Sequence, residues 1–279
     1  MGRVLVVGGT GRLGTLLRAA WAVEGLPGLV WQRRSGEGEG PRFDPLGDPA
    51  AYARAAAGAR AILNLAGRVG GGEEDLARHA DLARAALQAG AAAGVGRVFL
   101  ASSAAVYGGA VSAAESRPPA PVSDYGRAKL AMELAARAHR DGPAITCLRI
   151  GNVAGADQLL APRDGEGPQT LHVLADGGGL VRSYIGPRAL ARVLAALFAA
   201  SGAGHALPEV LNVAQPGAVR MDALLRAAGR PWRGVPAPDA ALPEVTLNTG
   251  ALEAVIGPLP RADAGAIVAD LGRLAGARP

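Results

Sequence analysis

Short apolar runs alternate with helical patterns along most of the chain. The first run, Val4–Val7, has no polar interruption, which is typical of a strand buried on both faces of a parallel sheet. Further patterns predict strands at 28–32, 61–67, 96–101, 145–150 and 210–214, and helices at 49–57, 74–93, 125–140 and 189–200. This alternation predicts successive βα units in one parallel sheet.

Three glycines follow the first strand at a spacing of three residues. Gly8 permits a tight turn, Gly11 lets the backbone approach a pyrophosphate, and Gly14 lets the next helix pack closely on the strand. Leu13 opens the apolar face of that helix, whose free N–H groups face bound phosphates. Because the triplet lies between a strand and a helix, it predicts a dinucleotide-binding turn rather than an ordinary glycine-rich turn.

Two arginines stand where the second predicted strand ends. An acid at this distance from the glycines would bind the ribose hydroxyls of NAD, but the chain has Arg33 and Arg34 there. Guanidinium groups form paired hydrogen bonds with a 2′-phosphate, so the pattern favours NADP, with NAD as the alternative. Arg12, inside the glycine loop, offers a third contact. The competing interpretation is that the strand-end arginines are simply solvated.

The only lysine of the chain lies four residues after a tyrosine. Of 29 Lys and Arg residues, Lys129 alone is a lysine, and it shares a helix face with Tyr125. An ammonium group is compact, lowers the pKa of a neighbouring acid and can relay protons, whereas a guanidinium stays charged and presents a wide fork. The pair therefore indicates proton-transfer chemistry rather than a surface charge.

Four motifs occur in order within the first 155 residues of the chain. They are Gly8-x-x-Gly11-x-x-Gly14, Asn64-Leu-Ala-Gly67, Ser102-Ser-x-x-Val-Tyr-Gly108 and Tyr125-x-x-x-Lys129. Together they resemble the extended short-chain dehydrogenase/reductase family, the NAD(P)-dependent epimerases and dehydratases. The resemblance implies an α/β fold, a Rossmann-type doubly wound parallel sheet with a small C-terminal substrate-binding lid.

The resemblance also implies a catalytic set of Ser103, Tyr125 and Lys129. A phenol with its ordinary pKa of about 10 is a poor base, but the lysine cation and the cofactor's nicotinamide charge would both favour phenolate. Tyr125 can then exchange a proton with a substrate oxygen that Ser103 holds in line. Lys129 would also bind the nicotinamide ribose.

Further cofactor contacts are implied by the same resemblance. It places Asp44 near the adenine, and Leu65, Ala66 and Gly67 along the cofactor.

Past residue 145 the resemblance is looser. Asn152 is retained and is expected to face the substrate. Arg182 matches an arginine that holds a diphosphate in the nucleotide-sugar enzymes of the family, but Ser183 and Gly186 replace an acid and a histidine beside it. Arg182 as a plain surface charge is the alternative. We expect a cofactor-binding domain at 1–150 plus 183–215, and a substrate-binding portion at 151–182 and 216–279.

The two residues after Ser103 bear on which reaction of the family the protein performs. Dehydratases of the family carry an acidic pair at this motif, whereas this chain has two alanines, which argues against dehydration. We expect an oxidoreductase or epimerase that acts on a hydroxyl or carbonyl of a sugar-like substrate, nucleotide sugars included. The alternatives are an NADP-dependent reductase of a non-sugar carbonyl and a regulatory protein that senses NADP without turnover.

Composition excludes several other classes of function. The net charge of +5 and the pI near 10.1 come from scattered arginines, and no nucleic-acid-binding motif accompanies them, so we expect no nucleic-acid partner. Neither an apolar leader nor a stretch of membrane-spanning length is visible, which predicts a soluble, cytoplasmic protein without a membrane partner. The four histidines lack metal-ligand spacing, so no metal site is expected.

Two further expectations concern packing. The single Cys147 lies in an apolar run and is expected to fill the core. The predicted helices at 74–93 and 125–140 have alanine-rich faces that allow close approach, and we expect them to pair with their copies in a homodimer.

Overall fold

The computed structural model describes residues 2–36, 38–139, 141–162 and 167–274. Its strands are β1 (Val4–Val7), β2 (Leu29–Trp31), β3 (Ala61–Asn64), β4 (Arg97–Ser103), β5 (Ala144–Ile150), β6 (Asn152–Val153), β7 (Gln169–Val173), β8 (Val181–Arg182), β9 (Tyr184–Ile185), β10 (Val210–Val213), β11 (Val219–Arg220), β12 (Trp232–Pro236) and β13 (Glu244–Val245). Its helices are α1 (Arg12–Val23), α2 (Pro49–Ala56), α3 (Glu73–Ala92), α4 (Asp124–Arg137), α5 (Pro187–Gly202), α6 (Met221–Ala227), α7 (Gly250–Ile256) and α8 (Ala264–Gly272), with a 3₁₀ turn at Ala104–Tyr107.

Six parallel strands form the central sheet in the order β10-β5-β4-β3-β1-β2. The chain adds β2 on one side of β1 and then returns to add β3, β4, β5 and β10 on the other side. The winding therefore reverses between β1 and β3, which confirms the predicted doubly wound fold. In such sheets ligands bind outside the carboxyl ends of the strands, where the winding reverses.

Side chains of the sheet alternate between two apolar layers, as the strand geometry requires. Val4 and Val6 of β1 pack with α1 and α5, whereas Leu5 and Val7 pack with α2, α3 and α4. Cys147 of β5 lies in the second layer as a buried free thiol, and burial raises its pKa. It fills the core, as the sequence predicts.

A smaller lobe follows β5, with its own apolar cluster. Leu160, Leu171, Leu224 and Ile267 pack there around Tyr184. Its short strands pair as β7 with β12, and as β8 with β11 and β13. The lobe is joined firmly to the central sheet, because α7 contacts β10 and α8 contacts α5.

Four boundaries differ from the sequence predictions. β2 ends at Trp31, so residue 32 lies beyond the strand, and β3 ends at Asn64, which leaves 65–67 as a loop. β4 continues to Ser103 because its last residue pairs with Ile150 of β5. The helix predicted at 125–140 ends at residue 137, and its predicted last residue lies outside the described part of the chain.

Candidate active site

The site begins where the loops after β1 and β3 touch. Gly8 has a φ of +86°, which disfavours any residue with a side chain. A Cβ at Gly8 would also lie 2.6 Å from the backbone nitrogen of Ala66. Asn64 shapes the second loop, because its side-chain oxygen accepts a hydrogen bond of 3.0 Å from the Ala66 N–H. The two backbones thus lie against each other at the reversal point of the sheet.

The start of α1 forms an open cradle of backbone N–H groups. A Cβ at Gly14 would lie 2.4 Å from the Gly8 carbonyl oxygen, so only glycine lets the helix approach this closely. Gly11 precedes the first helical residue and no side chain caps the helix, which leaves its first N–H groups available for an anion. Leu13 packs against the core, while Arg12 is exposed and donates to the Ala156 carbonyl at 3.4 Å. This cradle fits the pyrophosphate of a dinucleotide.

Gln32, which sequence reasoning missed, is the first residue after β2. It is buried, and its side-chain oxygen accepts a 3.1 Å hydrogen bond from the Gly8 N–H. Its amide group donates to the Phe43 carbonyl at 2.6 Å. The first position after β2 therefore holds an amide whose hydrogen bonds serve the protein itself. The signal in the sequence was a polar residue at the end of an apolar strand.

The other predicted cofactor residues lie around this loop. Arg33 is half-buried and its guanidinium donates to the Gly36 carbonyl, whereas Arg34 is exposed. Asp44 is exposed and its carboxylate accepts a 3.1 Å hydrogen bond from the Leu46 N–H. The structure therefore leaves Arg34 and Asp44 open to solvent and turns Arg33 back onto its own loop.

The structure brings Ser103 and Tyr125 together through one close helix contact. Ser103 ends β4, and its hydroxyl accepts a 3.2 Å hydrogen bond from the Ala105 N–H. α4 starts beside this turn, because a Cβ at Gly126 would lie 2.5 Å from the Ala105 carbonyl oxygen. Gly126 is a second residue that sequence reasoning missed. Because Gly126 has no side chain, the first turn of α4 can pack close to Ser103.

Burial raises the pKa of Tyr125 to about 12, and a hydrogen bond with Ser103 opposes that rise. The phenol is therefore neutral at pH 7. Lys129 is buried, and its Nζ donates to the Ala101 carbonyl at 2.7 Å and lies 5.6 Å from the centre of the Tyr125 ring. Burial lowers the pKa of Lys129 to about 7, although the negative charge of Glu133 opposes the fall.

A buried ion pair lies one helical turn beyond Lys129. The Glu133 carboxylate accepts hydrogen bonds from the Ser102 hydroxyl at 2.5 Å and from the Arg149 Nε and Nη2 at 3.0 and 2.7 Å. The Arg149 guanidinium stacks 4.6 Å from the centre of the Tyr107 ring. Sequence reasoning missed this cluster, which joins α4 to β4 and β5 next to the predicted catalytic set.

The predicted substrate residues follow β5 and enter the small lobe. Asn152 comes two residues after Ile150, and its side chain bonds to Tyr184, whose hydroxyl donates to Asp157 at 2.7 Å. The Arg182 guanidinium donates to the carbonyls of residues 181, 242 and 243 at 2.7, 2.9 and 3.4 Å. Much of its hydrogen-bonding capacity is therefore used by the lobe itself.

Sequence comparison decides the family. The model of the NAD dependent epimerase/dehydratase family matches residues 4–171, which is more than half of the chain. The chain belongs to this family. The resemblance and the assignment as an enzyme of the epimerase/dehydratase family are therefore confirmed. A search of curated proteins finds no match.

Several solved structures share the fold of this chain at low sequence identity. MoeE5, solved with UDP-glucuronic acid and NAD, is 22% identical over 99% of both chains, with a TM-score of 0.78. The UDP-glucose 4-epimerase of Brucella ovis, in complex with NAD, is 20% identical over 96% of both chains, with a TM-score of 0.78. The Stenotrophomonas maltophila UDP-glucose 4-epimerase, with NAD and formylated UDP-arabinopyranose, is 21% identical over 98% of both chains, with a TM-score of 0.76.

The described part of the chain contains no helix long and apolar enough to cross a membrane.

Proposed function

We propose that the protein is an NAD(P)-dependent oxidoreductase or epimerase that acts on a hydroxyl or carbonyl of a sugar-like substrate. One observation carries this proposal. Ser103, Tyr125 and Lys129 converge at the carboxyl end of β4, beside a glycine cradle shaped for a dinucleotide. The loops after β1, β3 and β4 bring these two parts to one edge of the sheet.

Each member of the catalytic set has a distinct task. Tyr125 is protonated at neutral pH because burial raises its pKa to about 12, so it is ready to donate a proton to a substrate carbonyl oxygen. The Ser103 hydroxyl holds the same oxygen in line. Lys129, with a pKa of about 7, exchanges protons near neutral pH and supports the reverse transfer when it is charged. The bound nicotinamide cofactor supplies the hydride chemistry.

We propose NADP as the preferred cofactor, with NAD as an accepted alternative. The support is the absence of an acid after β2, where Gln32 is engaged by Gly8 and Phe43, together with the adjacent cations Arg33 and Arg34. A 2′-phosphate is the anion that such cations suit. The relatives described above were solved with NAD, which keeps NAD in the proposal.

A titration with NADPH and NADH tests the cofactor proposal. Trp31 reports on the cradle, because a Cβ at Gly9 would lie 3.0 Å from its ring. We expect fluorescence quenching at lower NADPH than NADH concentration, and a Trp31→Phe variant identifies the responding residue among three tryptophans. Equal affinities, or NAD released only from denatured protein, would overturn the NADP preference and favour an epimerase.

Nucleotide sugars are the first substrate class to test. MoeE5 and the Stenotrophomonas enzyme were solved with such ligands. One observation favours a second candidate, an NADP-dependent reductase of a non-sugar carbonyl: the Arg182 guanidinium is engaged by carbonyls of its own lobe. UDP-glucose and UDP-glucuronic acid, offered with NADP or NAD, separate the two. Turnover supports the sugar assignment, and its absence together with turnover of simple ketones and NADPH supports the reductase.

We also propose that substrates bind between the cofactor domain (1–150 and 183–215) and the portion formed by 151–182 and 216–279. The support is that Asn152 leaves β5 at the edge of the sheet that carries Ser103 and enters the smaller lobe.

A further inference from the structure

His79 on α3 is a buried side chain that the proposed reaction does not use. It is 2% exposed, and its Nε2 lies 2.8 Å from the Arg68 carbonyl oxygen. A carbonyl only accepts, so this contact assigns the ring proton to Nε2. The other nitrogen, Nδ1, has no hydrogen-bond partner among the described residues. A polar ring is thus held by a single hydrogen bond, directed at the loop after β3.

The ring touches that loop a second time at Gly67. A Cβ at Gly67 would lie 2.2 Å from the His79 Cε1, and Gly67 has a φ of +144°. The loop backbone therefore rests directly on the imidazole, and the Arg68 carbonyl anchors the next residue. His79 therefore sets the distance between α3 and this loop, which is expected to run along the cofactor.

The same ring also meets the catalytic tyrosine. The centres of the His79 and Tyr125 rings are 5.9 Å apart, with an edge-on angle of 71° between their planes. Such edge-to-face pairs are favourable and set ring orientation. His79 is therefore a direct contact shared by the loop at Gly67–Arg68 and by Tyr125.

The imidazole is neutral in this position. Burial and, to a smaller extent, the Lys129 ammonium lower its pKa to about 4, although the hydrogen bond with the Arg68 carbonyl opposes the fall. A neutral ring exerts no net charge on Tyr125, so its influence is one of geometry.

We propose that His79 is a positioning residue that sets the cofactor-lining loop and the Tyr125 ring relative to each other. This inference rests on the proposed function. It separates into two contacts: the Nε2 hydrogen bond holds the loop, and the ring edge holds the tyrosine.

Two variants each keep one of these contacts. His79→Phe keeps an aromatic edge against Tyr125 but cannot donate to the Arg68 carbonyl. His79→Gln keeps an N–H donor but has no ring. His205→Gln is the matched control, because His205 is exposed beyond α5 at the opposite end of the sheet.

The readouts need no identified substrate. Dissociation constants for NADPH and NADH report on the loop. Ring-labelled tyrosine gives four NMR signals, and Tyr125→Phe assigns the relevant one. We expect His79→Phe to weaken NADPH binding about tenfold, the cost of a buried carbonyl left unpaired, with a single sharp Tyr125 signal. We expect His79→Gln to keep the affinity within about twofold but to broaden or split that signal.

A merely structural histidine gives a different result. Both variants would then melt at lower temperature, with NADPH affinity and the Tyr125 signal unchanged, and this outcome would overturn the inference. Each contact is tested by a separate variant. If one variant fails to fold, the other variant still decides the inference. Failure of the proposed function is recognised separately, because Tyr125→Phe would then retain the rate.

Discussion

At the scale of single residues, the proposed proton donation by Tyr125 gives the most direct prediction. Tyr125→Phe removes only the phenolic oxygen, so we expect cofactor binding to persist and the rate to fall by about 10²–10⁴, the usual contribution of a general acid. Initial rates of NADPH or NADH turnover measure this. Tyr52→Phe is the matched control: Tyr52 is fully buried and its hydroxyl has no partner in the described structure, so its loss leaves the rate intact.

Lys129 predicts a specific dependence of stability on pH. Its pKa in the folded protein is about 7, below the value of about 10.4 for an unfolded chain. Between these values the unfolded chain binds more protons, so this group's contribution to stability is lost as pH falls from about 10.4 to 7. Lys129→Met should remove that slope in urea unfolding measured across the pH range. Arg127→Met, at an exposed cation on the same helix, should leave the slope unchanged.

The residue scale also separates what the sequence predicts from what it hides. The glycines after β1 act within one short segment, so their spacing alone indicates a cradle. The position of the Gln32 side chain depends on a strand that ends one residue earlier than predicted and on a hydrogen bond to the Phe43 carbonyl. The hydrogen bonds of the Arg182 guanidinium depend on carbonyls about sixty residues away along the chain. No local pattern in the sequence reports contacts of that range.

At the scale of elements, the Glu133–Arg149 pair holds α4 on the sheet. Both side chains are at most 4% exposed. Glu133→Gln leaves a buried guanidinium without its counter-charge, so we expect a loss of about 3–5 kcal/mol in the free energy of unfolding. Chemical denaturation measures this loss.

The control for this pair is an exposed ion pair that joins the last residue of the same helix to the residue before β10. Glu209 and Arg137 are about half exposed, and Glu209→Gln should change stability by less than about 1 kcal/mol. Equal effects at the two pairs would contradict the role assigned to burial. The buried pair escaped prediction because it depends on which β5 residues face α4, whereas the existence of α4 and β5 followed from their apolar patterns.

At the scale of the whole molecule, the homodimer remains a prediction. α3 and α4 pack side by side, and Leu134 of α4 is 58% exposed. If these helices pair with their copies, light scattering at micromolar concentration should give twice the chain mass, and Leu134→Glu should give the monomer. Leu46→Glu, at an exposed site near α2, should leave the dimer intact. A monomeric wild-type protein would contradict the prediction.

The alkylation rate of Cys147 can report how often this protein opens. It is the single cysteine, and it lies in the apolar layer beneath α4. An alkylating reagent reaches the sulfur only when the helix leaves the sheet, so the labelling rate measures how often the molecule opens. A ligand that binds only the closed form lengthens the interval between openings. One mass-spectrometric time course with and without nucleotide therefore ranks cofactors by the protection they give, before any substrate is known.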